Sequence, residues 1–518
     1  MNEGIEADER LPVPVTALGP FALLAVRVHR LANTGRCHEA LAAADAYLGF
    51  CRAAGDSKII PFLLQGKMYA NMAMGRVPEA ALLGEQILRL HRSAGSALGE
   101  AKTLCDLAQL DVLRSRFVDA MSNLARAGVL MAGAHCDGDR RRSALCSFAE
   151  AATAAELYEA AAAAYEHLSG ASAAFELVYA GTLLYWGMRL GHVGRLDESG
   201  IRLRRSAEIT RRRVEAHTDD FSSAAMLALA LAKLGEVVPA EKLARDAIMP
   251  LRAGENYQHA RMAHLALGIS LRLQGALQEA RRELLAAREL CTPSTRPDEP
   301  PIIRFEMALT ALELDGGQAN RDLFEAVEAQ VGELWRMRLL RLAMLRAARQ
   351  REELETARRR AEREIFRDPL TGLGNRRRFD MLLEHIDSGR LRRPLALLLV
   401  DIDHFKAVND AYSHIAGDRA LREVAAILRA HCRAVDIPVR YAGDEFTVFL
   451  RADGPAGRDV AERIRAAVAK ADILTGVNLT VSVGMAVLHD GMTGADLFRQ
   501  ADERLYAAKW SGRNTIAT

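Results

Sequence analysis

The chain has 518 residues, half of them hydrophobic and only 5% aromatic, and its formal net charge is +2. Single hydrophobic cores stop growing at about 250–300 residues, so this length predicts more than one domain. The near-neutral charge gives no electrostatic support for a nucleic-acid or membrane-surface role, and we expect neither as a partner. Abundant alanine with few aromatics favours packed helices over a β-rich fold.

The N-terminal segment, residues 1–18, is expected to be flexible. Its first ten residues are acidic, whereas a secretory signal would be basic and then apolar. No apolar stretch reaches the ~18–20 residues needed to span a bilayer. Seven cysteines are dispersed without a C-x-x-C pair or histidines at zinc spacing. These features predict a soluble, cytoplasmic protein.

Residues 19–319 repeat with a period close to forty residues. Each unit is predicted as a helix that ends at a glycine, a tight turn and a second amphipathic helix. Without strand signals, this period predicts an all-α solenoid of stacked helix pairs. The turn sequence Gly-Arg-x-x-Glu-Ala resembles that of tetratricopeptide repeats, although the period exceeds their ~34 residues. Variants of it occur at residues 35–40, 75–80, 115–120, 159–160, 194–198, 235–240 and 275–280.

Solenoids present an extended surface, so we expect this region to be a sensory or interaction domain for an unknown protein or peptide partner. The alternative is that the repeats only scaffold or solubilise the rest of the chain, because a fold does not fix a function.

Residues 320–366 contain no proline and are predicted to form one linker helix. Apolar residues near heptad positions, including Leu340, Met344 and Leu354, predict a weak coiled coil that places two copies side by side. The arginines at 358–360 alternate with glutamates that supply i,i+4 partners, which favours a solvated helix over nucleic-acid binding. Asp368-Pro369 then ends the helix, since proline restricts the preceding residue.

Residues 367–518 alternate between helix and strand and predict an α/β domain. The predicted elements are helix 376–386, strand 395–402, helix 410–431, hairpin strands 437–441 and 445–451, helix 457–471, strand 478–487 and helix 494–509.

Three acids of this domain are expected to converge. Asp401 follows a short apolar run typical of a buried central strand, and Asp444 and Glu445 lie at the tip of the predicted hairpin. Mg²⁺ takes oxygen ligands and shares them with substrate phosphates. The sequence therefore predicts a metal site, with Asp403 beside it.

Several motifs here follow the order of a known family, and together they resemble the GGDEF-domain diguanylate cyclases over roughly Phe366 to Asn514. The resemblance implies a palm-like nucleotide-cyclase core that joins two GTP molecules, one on each of two facing domains, into cyclic di-GMP and two pyrophosphates. It implies a homodimer and an Mg²⁺ or Mn²⁺ cofactor. The motifs lie at residues 368–375, 401–409, 414–418, 442–446 and 509–514.

The resemblance also assigns roles to individual residues. Asp444 and Glu445 are the expected catalytic residues, and Asp401, the Ile402 carbonyl, Glu445 and Asp444 the expected metal ligands. The expected GTP-binding residues are Asn409, Asp418, Ala442, Gly443, Lys509 and Arg513.

Asn409 and Asp418 match the pair that reads guanine, and a carboxylate accepts the N1–H and N2–H₂ donors of that base. Taken singly, Asn409 also suits a helix N-cap and Asp418 a turn. Lys509 and Arg513 match a triphosphate clamp. Arg433 and Asp436 match a site at which cyclic di-GMP inhibits its own synthesis.

Two positions depart from the family pattern. Ala442 replaces the first signature glycine, and its methyl group would crowd the nucleotide or resist a turn with positive φ. Ser413 replaces the usual glycine before His414. We therefore expect retained or reduced activity. The alternatives are a catalytically degenerate domain that acts as a receptor for GTP or cyclic di-GMP, and a repeat scaffold with vestigial catalysis.

Overall fold

A computed structural model describes residues 21–134, 138–168, 173–291, 298–391, 393–474 and 478–518. The segment 1–18, predicted to be flexible, lies outside the described residues. The chain divides into two compact units, Met1–Glu353 and Leu354–Thr518. Among the described helices, none combines the length and the apolar character required to cross a membrane.

The described part of the first unit is helical, as the repeats predict, and the boundary between the two units falls within one long helix of 48 residues. The helices are α1 Ala22–Asn33, α2 Cys37–Ala53, α3 Ile60–Ala73, α4 Val77–Ser93, α5 Ala97–Leu113, α6 Phe117–Gly133, α7 Asp139–Ala154, α8 Tyr158–Leu168, α9 Ala173–His192, α10 Leu196–Ala216, α11 Phe221–Leu234, α12 Val237–Ala253, α13 Tyr257–Leu273, α14 Leu277–Glu289, α15 Glu299–Leu314 and α16 Gln318–Ile365.

Glycines in left-handed conformation end many of these helices. At the end of α1, Gly35 (φ +78°) donates to the Ala32 carbonyl and Arg36 donates to the Leu31 carbonyl. This is the Schellman arrangement, which satisfies carbonyls that a helix end leaves unpaired. Gly55 ends α2 in the same way. Schellman turns therefore end helices both within a repeat unit, at Gly35, and between two units, at Gly55.

The long helix α16 buries a stripe of residues at alternating spacings of four and three, the geometry of a helix packed along one seam. This stripe packs within the first unit. Two residues of the predicted coiled coil, Leu340 and Leu354, are instead exposed. The coiled coil stays a prediction, while the buried stripe consists of Val331, Trp335, Arg338, Leu342 and Leu345.

The second unit is an α/β domain, as predicted. In the described part of the chain its sheet has the strand order β2-β3-β1-β4-β5, antiparallel except for the parallel pair β4 and β5. Its elements are α17 Arg376–Asp387, β1 Ala396–Ile402, α18 Phe405–Tyr412, α19 His414–His431, β2 Ile437–Ala442, β3 Glu445–Leu450, α20 Gly454–Lys470, β4 Val481–Val487, α21 Gly494–Trp510 and β5 Ile516–Ala517.

The single helix predicted over residues 410–431 is wrong. The chain instead forms α18 and α19, which are separated at Ser413. Ser413 has φ +130°, a conformation outside the helical region that side-chain-bearing residues rarely adopt. This explains why glycine suits the position. The short strand β5 was not predicted.

The central strand β1 has two buried faces, because successive side chains point to opposite sides of a sheet. Leu398 and Val400 belong to a core shared with α19 and α20, whereas Leu397 and Leu399 belong to a core shared with α17 and α21. Asp401 continues the second series, so its side chain emerges on the face covered by α21.

Helix α21 approaches β4 closely at Gly484. A Cβ atom built on this glycine would lie 2.2 Å from both the Ala501 carbonyl oxygen and the Leu505 backbone nitrogen. Only a residue without a side chain permits this contact between helix and sheet.

We therefore expect Gly484→Ala to destabilise the second unit by about 3 kcal/mol, because the new methyl group meets rigid backbone. Urea unfolding followed by amide exchange of β4 measures the change. Gly454→Ala is the matched control, since a Cβ there meets only Val487 at an ordinary 3.6 Å. Equal effects of the two substitutions would contradict the packing argument.

Candidate active site

The predicted acids meet at one end of the sheet. Asp401, near the end of β1, is only 7% exposed and pairs in register with Glu445, the first residue of β3. Asp444 precedes Glu445 in the turn, and its carbonyl accepts the Ile402 N–H at 3.4 Å. Paired residues on adjacent antiparallel strands face the same side, so the two carboxylates share one surface.

These carboxylates disfavour one another's charged forms. Burial raises the pKa of Asp401, an effect that Lys509 opposes and the negative charges of Asp444 and Asp403 reinforce. Burial also raises the pKa of Glu445, and the Asp401 charge adds to it. A cluster of like charges in a partly desolvated site favours protonation or a bound cation.

Lys509 supplies a positive charge at this cluster. It lies near the end of α21, and its Nζ is 2.7 Å from Asp401 Oδ2. Arg513 lies four residues on, exposed, in the turn after the helix with φ +62°. The structure thus brings Lys509 to the acids, while the Arg513 side chain is accessible at the same C-terminal turn.

Asp403, expected beside a metal, is a buried residue that anchors neighbouring segments. Its carboxylate accepts hydrogen bonds from the Thr480 and Ser482 hydroxyls, both at 2.7 Å, and from the Asn514 backbone N–H at 3.0 Å. These bonds fix the turn that contains Arg513 against β1 and β4. The sequence signal for Asp403 was its spacing from Asp401, because residues two apart in an extended chain point to the same side.

The signature turn does not need glycine at position 442. Gly443 adopts the left-handed conformation, with φ +46°, whereas Ala442 does not have a positive φ and ends β2. Both residues are exposed. The expectation that Ala442 would resist a positive-φ turn is therefore wrong, because the strain falls on its neighbour.

Sequence reasoning missed Arg440, which ties this turn to the segment before α17. Its Nε donates to the Gly443 carbonyl at 2.9 Å, and its Nη1 lies 3.4 Å from the Asp368 carboxylate. In the same segment, Asn375 Nδ2 donates to the Ile365 carbonyl at 2.8 Å and so caps the end of α16. The only signal was the position of Arg440 directly before the turn.

Asn409 and Asp418 come close together across the break between α18 and α19. A Cβ atom at Gly417 would lie 2.0 Å from Asn409 Oδ1, so the amide packs directly on that glycine. Asp418, the next residue, is partly exposed and lies 4.0 Å from Arg422. The break at Ser413 therefore brings the Asn409 amide against the residue that precedes Asp418.

Arg433 and Asp436 form a local turn. The Asp436 carboxylate accepts the backbone N–H groups of Arg433 at 2.8 Å and Arg451 at 3.0 Å. Asp436 thus holds the turn, and the exposed Arg433 side chain extends from it.

The donor set of the acidic cluster fits a hard divalent cation that arrives with a nucleotide. Among the described residues, no group of three or more His, Cys, Asp or Glu is gathered tightly enough to hold an ion alone. Mg²⁺ commonly uses one or two carboxylates and completes its shell with phosphate and water. Asp401 and Glu445, with their mutual repulsion, match that requirement.

Carboxylates on adjacent strands with a lysine beside them are groups that can hold a divalent cation and a phosphate. A family model described as "Diguanylate cyclase, GGDEF domain" matches residues 365–515. This part of the chain is a GGDEF domain.

Several characterised proteins are similar to the same segment. Diguanylate cyclase DgcP of Pseudomonas aeruginosa is 40% identical over 159 residues, 29% of this chain and 23% of that protein. Response regulator PleD of Caulobacter vibrioides is 40% identical over 160 residues, 29% of this chain and 35% of that protein. The chain thus spans about a quarter to a third of the length of these two relatives.

Solved structures match as well. The coiled coil and GGDEF domain of DgcB from Caulobacter crescentus, in complex with c-di-GMP, is 29% identical, with a TM-score of 0.32, and the match covers 34% of this chain and 98% of that one. Diguanylate cyclase SiaD of Pseudomonas aeruginosa, in complex with its activator SiaC, is 28% identical, with a TM-score of 0.31, and the match covers 47% of this chain and 98% of that one.

The raised pKa of Glu445 predicts a pH-dependent cost to stability. The pKa of Glu445 is higher in the folded protein than in the unfolded chain. The folded protein therefore loses stability as the pH rises from the ordinary pKa of a glutamate through the raised pKa. Without divalent cations, Glu445→Gln should stabilise the second unit at pH 7, by less than about 1 kcal/mol because the side chain is partly exposed. The gain should vanish below pH 4.

Calorimetry at both pH values checks this. Glu462→Gln is the control of opposite sign, since hydrogen bonding to Arg465 lowers the pKa of Glu462. A Glu445→Gln protein that is less stable at pH 7 would contradict the repulsion.

Proposed function

We propose that the protein is a diguanylate cyclase that condenses two GTP molecules into cyclic di-GMP and two pyrophosphates. The observation that carries the proposal is the pairing of Asp401 with Glu445 in register, with Lys509 Nζ 2.7 Å from Asp401, inside a GGDEF domain. Relatives named diguanylate cyclases support it.

In this proposal the chain's own groups position the phosphates. Asp401, Glu445, Asp444 and the Ile402 carbonyl would hold Mg²⁺ or Mn²⁺, which when bound neutralises charge on phosphate oxygens. Lys509 exchanges its bond to Asp401 for one to the nucleotide, and Arg513 joins it in binding the triphosphate. Such reactions depend mainly on positioning and electrostatic stabilisation.

The guanine base would be read by Asn409 and Asp418. Asn409 lies in α18 and Asp418 in the first turns of α19, and both are partly exposed. A carboxylate accepts the N–H donors of guanine but repels the N1 acceptor of adenine, which favours GTP over ATP. The Asp418–Arg422 pair at 4.0 Å is exposed and weak, so little is lost when the base replaces it.

The reaction needs two domains, so we propose a homodimer. We further propose that residues 19–319 form an interaction domain of tetratricopeptide-like repeats, that 320–366 relay its state, and that 367–518 perform catalysis in the cytoplasm. SiaD, similar over part of this chain, was crystallised with a protein activator. That precedent supports a protein or peptide partner as the regulator.

Purified protein incubated with GTP and Mg²⁺ should form cyclic di-GMP. Glu445→Ala and Asp444→Ala should each lower the rate by at least about 100-fold, because each removes charge that acts on the phosphates. Chromatography of the products measures the rate. Ala442→Gly should keep or raise it, since the backbone accepts either residue.

Asp459→Asn, an exposed change on α20, is the control and should leave the rate unchanged. If the wild-type protein forms no product at high concentration after bound nucleotide is removed, the cyclase proposal fails. Binding of GTP or cyclic di-GMP without turnover would then identify a receptor.

Product inhibition is proposed at Arg433, because an exposed guanidinium can bind guanine or phosphate through two parallel hydrogen bonds. Arg433→Ala should raise the concentration of cyclic di-GMP that halves the rate by about tenfold, with the uninhibited rate unchanged. Asp436 is unsuitable for the test because it holds the turn. Arg499→Ala, exposed on α21, is the control. Unchanged inhibition in Arg433→Ala would exclude this site.

A further inference from the structure

Helix α15 carries three glutamates on one face. Glu299, Glu306 and Glu313 are separated by seven residues each, which is almost two full turns. Two of them are nearly inaccessible to solvent, with Glu299 at 3% and Glu306 at 0% exposure. Carboxylates are rarely buried without partners. The residues that pair with these glutamates therefore identify the surface against which this face of α15 packs.

The partners come from three different helices of the first unit. Glu299 accepts hydrogen bonds from Tyr185 on α9 at 2.7 Å and from Arg261 on α13. Glu306 lies 2.8 Å from Lys233 Nζ on α11.

The C-terminal half of α15 also pairs its glutamates with basic side chains of neighbouring helices. Arg272 on α13 bridges Glu306 at 3.4 Å and Glu313 at 2.8 Å. His192 on α9 lies 3.4 Å from Glu306 and stacks on Phe305 at 4.1 Å between ring centres. Burial lowers the pKa of His192 to about 4, so at pH 7 the charged partners are the lysine and the arginines.

This placement differs from regular repeat stacking. The odd-numbered helices α11 and α13 pack closely against each other. Helix α15 packs mainly against α14, contacts α9 and α13 less extensively, and its glutamates reach α11. Its charged side chains meet residues of α9, α11 and α13, and the buried Ile302 and Ile303, which lie between its first two glutamates, line a small cavity with Tyr185 and Arg261. A helix bound across several repeats is how a solenoid holds a ligand.

We propose that the shared face of α9, α11 and α13 is a receptor for an acidic helix. In this structure α15 occupies it as an internal ligand, and a partner protein would present a helix with carboxylates at the same seven-residue spacing and apolar residues between them. The inference rests on the interaction role proposed for the repeats and is independent of GTP turnover. Breaking a buried charge pair is costly, so the match of charges determines which helix binds.

The test weakens the internal helix and supplies a competitor. A tethered helix has an effective concentration of about 1 mM or more, so a free peptide competes poorly with it in the wild type. In the full-length Glu306→Gln protein we expect amide exchange in α15 to rise at least about tenfold while α11 and α13 stay protected. Glu279→Gln on the exposed side of α14 should change neither.

A labelled peptide with the sequence of residues 298–315 should then bind Glu306→Gln and not the wild type. The same peptide with glutamine at 299, 306 and 313 should bind at least about tenfold more weakly. If Glu306→Gln does not fold, Glu313→Gln at the more exposed end replaces it.

Failure of the acidic peptide to bind the loosened protein would overturn the proposal. Exchange in α15 that occurs only together with α11 and α13 would do the same, because it would show that α15 is part of the fold's core. Either result leaves the cyclase proposal untouched, since neither readout involves GTP.

Discussion

The register of β1 against β3 is the constraint on which the acidic cluster of the second unit depends. It sets Asp401 opposite Glu445, so two carboxylates face the same surface at the end of a buried sheet. Burial raises the pKa of both carboxyls, the Asp401 charge raises that of Glu445 further, and the register fixes the face of the sheet from which both side chains extend. The fold thus holds negative charges close together, and their repulsion lowers the stability of the folded protein. A bound cation would relieve that repulsion.

The remaining elements bring complementary groups to this surface. Gly484 lets α21 approach the sheet so closely that Lys509 reaches Asp401. Asp403 holds the turn after α21, and Arg440 holds the hairpin turn. Apart from the bond between Arg440 and Gly443, these contacts join segments distant in sequence, and several use backbone atoms. Positioning by backbone contacts keeps side chains such as Lys509 and Arg513 available to a ligand.

The sequence was sufficient for the features that follow from local periodicity and motif spacing. The strand ending at Asp401, the hairpin tip at Glu445 and the helix pairs were all predictable. The break at Ser413 was not predictable, because helix propensities do not indicate that a residue other than glycine has a positive φ. The anchoring role of Asp403, the contacts of Arg440 and those of the glutamates of α15 were also beyond reach, since they depend on partners far along the chain.

The pairing of Asp401 with Glu445 also limits how the domain can change during evolution. Side chains in a strand alternate between the two faces of the sheet. One residue inserted into or deleted from β1 or β3 would therefore move a carboxylate to the opposite face, against the other hydrophobic core. The loops and helices between these strands carry no such constraint. Length variation among descendants should therefore accumulate between Ile402 and Glu445, while the two strands keep their lengths.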